Sequence, residues 1–103
     1  MRILRAGEFE GATAWDADHI ATIDGATVKV HWTDQPYMWH VNDGEEVFVV
    51  LDGAIDMHVR RDGSEQVHRL EVGDVFFADV GTEHVAHPIG PSRVLVVERA
   101  GSV

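Results

Sequence analysis

Apolar and polar residues alternate with a period of two through most of the chain, and no window of 11 or more residues carries a helical stripe. The segment Val28-Lys29-Val30-His31-Trp32-Thr33 sets the pattern. It places Val28, Val30 and Trp32 on one face and Lys29, His31 and Thr33 on the other. Gln35-Pro36 ends it, a strand over about 37–42 follows, and Asp43-Gly44 reads as a hairpin turn into the apolar run 46–51. Asp52-Gly53 then leads into 54–60, with Ile55, Met57 and Val59 facing one way and Asp56, His58 and Arg60 the other. After a hairpin turn at Arg61-Asp62-Gly63-Ser64, strands are expected over about 66–70, 75–78, 84–88 and 93–99. Turn signals every eight to twelve residues predict an all-β sandwich or small barrel. Residues 26–100 form that barrel. Residues 1–25, with Trp15, Asp16 and Asp18, are less patterned and read as an edge strand or a dimer contact.

Length and composition narrow the picture. A chain of 103 residues with 45% hydrophobic and 25% charged side chains folds as one domain with one core. Its formal net charge of −10 and scattered basic residues argue against nucleic acid or an anionic membrane as a partner. No apolar run approaches the ~20 residues of a membrane span, and the first five residues lack the apolar core of a secretory signal. With no cysteine there is no disulfide and no thiolate site, which suits a reducing compartment and a cytoplasmic location. Metal ligands would have to come from His, Asp, Glu or Asn. The serines at 64, 92 and 102 fall in turns or the tail, so a serine triad has no support, and no glycine-rich phosphate loop opens a helix.

The candidate chemistry lies in two stretches. In the first, running from Trp39 to Gly53, His40 and Asn42 share one face and the Asp43-Gly44 turn brings Glu46 alongside, so an imidazole and a carboxylate converge. In the second, Gly73 to His84, a strand and a tight glycine turn deliver another histidine, His84. Glu45 alternates away and is expected in solvent. Phe48 shares the face of Glu46 and would wall a pocket. His31, Tyr37 and Met57 are further candidates for the pocket lining, with core packing the competing role for Tyr37, Phe48 and Met57. His19, His58 and His68 read as surface residues, and His87, three past His84, points the other way.

Together these two stretches resemble the paired motifs of the cupin superfamily of small jelly-roll β-barrels. His40, Glu46 and Gly53 fall in register with its first motif, with Asn42 where a second His is usual; Gly73, Gly81 and His84 fall in register with its second, with Asp79 in place of a Pro. The resemblance implies one divalent metal ion held by His40, Glu46 and His84. Two imidazoles and one carboxylate make the facial triad associated with open-sited non-haem iron, with manganese, nickel and zinc as the other candidates. Asn42 offers only a neutral amide oxygen, which leaves loose coordination, a hydrogen bond to a metal-bound water, or no role. The function expected is a metal-binding protein acting on a small organic molecule by oxygenase-type or isomerase-type chemistry. The competing expectation is a non-catalytic ligand-binding or sensor module with a weak or empty site. The resemblance also implies a homodimer.

Overall fold

Asp-Gly pairs close the two tightest hairpins. Asp24-Gly25 joins β1 (Asp16–Ile23) to β2 (Ala26–Thr33), and Asp62-Gly63 joins β5 (Ala54–Arg61) to β6 (Ser64–Glu71). Both residues of each pair have positive φ, 49° and 81° in the first turn and 52° and 77° in the second. This is the mirror-image turn whose twist matches that of the flanking strands. The remaining strands are β3 (His40–Val41), β4 (Glu46–Asp52), β7 (Val75–Ala78), β8 (Glu83–Pro88) and β9 (Ser92–Arg99), with one 3-10 turn at Ala6–Glu8. The structure is a computed structural model that describes residues 1–102.

The strands form two antiparallel sheets, ordered β1-β2-β9-β4-β7 and β3-β8-β5-β6. Their inner faces meet over a core of Phe48, Val50, Ile55, Met57, Val59, Leu70, Ala86, Val94 and Val96. Alternation dictates the membership. Glu46, Phe48 and Val50 are the buried positions of β4, and Ile55, Met57 and Val59 those of β5. The less patterned N-terminal residues supply β1, the edge strand paired to β2. No helix among the described residues is long and apolar enough to cross a membrane.

Asp43-Gly44 does not form the hairpin expected there. β3 pairs with β8 in one sheet while β4 pairs with β7 and β9 in the other, so the chain crosses between sheets at this point. The reason lies in where the backbone bonds go. The Asn42 N–H donates to the Thr82 carbonyl at 3.1 Å and the Asn42 carbonyl accepts from the Gly81 N–H at 2.9 Å, leaving nothing for β4. The regular part of β3 is accordingly two residues long, although Tyr37 N–H still reaches the Ala86 carbonyl at 3.1 Å.

Candidate metal centre

His40 and His84 face each other as direct cross-strand partners of β3 and β8, and their rings lie 4.2 Å apart between centroids. Glu46 reaches them from the opposite sheet, where it opens β4. One ligand atom from each of His40, Glu46 and His84 lies within 4.8 Å of the other two. Glu46 and His84 are buried, and His40 is half-buried at the side of the cavity. The sandwich thus brings together across its interior three residues that the sequence spreads over 45 positions.

Backbone carbonyls orient both imidazoles. His40 Nδ1 lies 3.1 Å from the Met38 carbonyl, and His84 Nδ1 lies 3.4 Å from that of Thr82. A carbonyl only accepts, so each Nδ1 carries the proton and Nε2 is left as the ligating atom, the support that metal-bound histidines ordinarily have. His84 Nε2 sits 2.9 Å from Glu46 Oε1. That contact requires a positive centre between two lone pairs, a proton in the metal-free protein or a cation in its place. Ligands about 2.1 Å from a metal and at right angles to each other stand about 3 Å apart, so the spacing suits a shared ion.

Asn42 supplies a second indication. It is buried, its Nδ2 donates to Glu46 Oε1 at 3.4 Å, and its Oδ1 has no hydrogen-bond partner. An orphaned buried carbonyl is costly unless a cation or a water fills the gap. The donor set and this orphan both fit a divalent ion. Burial pushes the Glu46 carboxyl up, yet the hydrogen bond and charge of His84, with Asn42 and His40, outweigh it and hold the group below the usual carboxylate value. Glu46 is therefore an ionised ligand at neutral pH.

Beside the triad lies a cavity of about 210 Å³. His31, Tyr37, Phe48 and Met57 all line it. Of these, Phe48 and Met57 are also core residues, so the two roles weighed for them coincide. His87, by contrast, faces outward and stacks on His58 at 4.2 Å between centroids, and His19 and His68 are surface residues. Glu45 is exposed.

Six lining residues escaped sequence reasoning, Trp15, Lys29, Ala86, Val96, Glu98 and Ser102, of which Trp15, Lys29 and Glu98 bear on the chemistry. Lys29 was findable, because alternation puts it on the face of His31. Glu98 becomes visible only once β4 and β9 pair, which sets it directly opposite Glu46. Burial and the Glu46 charge beside it push the Glu98 carboxyl up to about 7, against the opposing pull of Lys29. Trp15 packs edge-on against His31 and Tyr37 at 5.9 and 5.2 Å between centroids, its indole N–H donating to the Gln35 carbonyl at 2.9 Å. Burial holds His31 below the usual histidine value, with Lys29 adding to the effect and the Trp15 carbonyl opposing it.

Solved structures share this architecture. A cupin-2 domain protein from Shewanella frigidimarina superposes with a TM-score of 0.77 at 22% identity, covering 90% of this chain and 86% of that one. A cupin superfamily protein from Desulfitobacterium hafniense gives 0.77 at 14% identity, with 91% and 85% covered. A hydroquinone 1,2-dioxygenase from a Sphingomonas species, solved with 4-hydroxybenzoate bound, gives 0.74 at 13% identity, with 87% and 68% covered. No curated protein matches the sequence. The cupin domain family matches residues 25–98, which take in every strand after β1 except the last residue of β9. With both motif histidines and the glutamate meeting inside that sandwich, the chain belongs to the cupin domain family.

Proposed function

We propose that this protein binds one divalent metal ion through His40, Glu46 and His84 and acts on a small organic molecule in the adjoining cavity. The observation that carries the reading is the convergence of three ligand atoms within 4.8 Å beside a cavity of about 210 Å³. Iron, manganese, nickel and zinc all suit two imidazoles and a carboxylate. When bound, such an ion supplies Lewis-acid or dioxygen chemistry at positions the three ligands leave open.

The chain's own groups do the rest. Phe48, Met57 and Val96 give the cavity an apolar floor that excludes water, and Trp15 and Tyr37 wall one side. Glu98, opposite Glu46 on the neighbouring strand and lining the cavity, is the carboxylate not committed to the ion and the candidate to accept or return a proton on the substrate. The competing reading, a sensor or binding module, draws on the His84–Glu46 hydrogen bond, which satisfies both groups without any ion. The cytoplasmic location expected from the composition and the homodimer expected from the resemblance belong to the same proposal.

Elemental analysis after reconstitution with each of the four metals tests it. The wild type should hold about one equivalent of one metal per chain and His84→Ala less than about a tenth of that. Equal metal in both, or none in the wild type, overturns the site. With a loaded protein, oxygen uptake during turnover separates oxygenase-type from isomerase-type chemistry.

A further inference from the structure

We infer that Lys29 forms an anion subsite in the cavity and that the ligand of this protein is a small carboxylate. The inference rests on the reading of that cavity as the ligand pocket. Lys29 is the only lysine in the chain, and it lines the cavity. It stands half-buried in the middle of β2, between His19 of β1 and Val96 of β9.

Its lack of a partner is the second observation. The arginines at 2, 60, 69, 93 and 99 each pair with a carboxylate outside the cavity, Lys29, Arg5 and Arg61 take part in no ion pair among the described residues, and of these three only Lys29 lines the cavity. Two carboxylates, Glu46 and Glu98, line the same cavity. Were Lys29 present only to balance them, its ammonium would rest against one of them; it rests against neither. Lys29 feels the charge of Glu98 across the cavity without touching it, and a cation drawn partly out of water with no direct partner leaves its N–H donors free for a ligand carboxylate. The acidic surface gives an anion no long-range attraction in a protein of net charge −10, so selection has to come from a local cation such as this one.

The rest of the lining sets the ligand's size. The volume of about 210 Å³ falls below the ~300 Å³ at which drug-sized pockets begin, so a short-chain or single-ring acid is accommodated. Its carboxylate meets Lys29, its frame lies between the Trp15–Tyr37 wall and the Phe48–Val96 floor, and its far end approaches His40 and His84.

Calorimetric titration with acetate, propionate and benzoate, each against its neutral amide, tests the subsite in wild type, Lys29→Gln and Lys29→Arg, with metal content measured in the same samples. The wild type should bind at least one acid more tightly than its amide; Lys29→Gln should lose that preference by about tenfold or more, and Lys29→Arg should keep most of it. Amide affinities and metal content should not change. A wild type with no preference for any acid overturns the subsite, as does a Lys29→Gln protein that retains the preference. A fall in melting temperature with the preference intact identifies Lys29 as a structural counter-ion instead and equally overturns it. If no variant holds metal while the preference behaves as expected, the metal reading fails and the subsite stands.

Discussion

His84 is engaged through both ring nitrogens, with the Thr82 carbonyl on one side and Glu46 on the other. Metal binding there means exchanging a proton for a cation, so affinity should fall as pH falls. Glu98 provides the sharper pH test at the scale of a single residue. Its folded-state value near 7 lies above its ordinary value of 4.5, so the folded protein binds more protons than the unfolded chain between those limits. Stability of the metal-free protein should therefore decline as pH rises from about 4.5 to 7 and stay lowered above that. Glu98→Gln removes the ionisation. Thermal unfolding of metal-free protein should show the variant melting above wild type at pH 8 and level with it at pH 4; a variant melting lower at pH 8 contradicts the environment assigned to Glu98.

Among the elements, β4 and β5 show what a glycine does at the crossing between sheets. Gly53 lies between them with φ of 81°, and a Cβ there would stand 2.4 Å from Ser92 Oγ and 2.8 Å from the Pro91 carbonyl. Gly63, in the β5–β6 hairpin, has φ of 77° but open space around it. Gly63→Ala therefore meets only backbone strain, costing about 1 kcal/mol, while Gly53→Ala meets strain and collision and should cost about 3 kcal/mol. Denaturant midpoints compare the two directly, and equal losses contradict the packing described for Ser92. Strand faces were legible at this scale because alternation depends on local sequence alone: Ile55, Met57 and Val59 point inward as their spacing predicts. The β3–β4 connection was not. Asp-Gly commonly turns a hairpin, and only the tertiary bonds from Asn42 to residues 81 and 82 send the chain across instead.

At the scale of the whole molecule, the two motifs were readable because ligand spacing within each is fixed by a strand and a turn. Glu98 and Trp15 were not, since their approach to the cavity depends on which strands become neighbours. A further whole-molecule feature is the outer face of the five-stranded sheet, where Val75 and Phe77 are more than half exposed beside half-buried Val47 and Val49. A second copy of the chain covering this strip would give the proposed homodimer. Light scattering should return twice the 11.4 kDa chain mass for the wild type and a single chain for Phe77→Glu; a monomeric wild type contradicts the proposed dimer.

Anomalous diffraction from crystals of metal-reconstituted protein locates the ion instead of counting it. One peak per chain is expected within about 2.0–2.3 Å of His40 Nε2, His84 Nε2 and a Glu46 oxygen. A peak at the outward-facing His58–His87 pair, or no peak inside the sandwich, would contradict the proposed site.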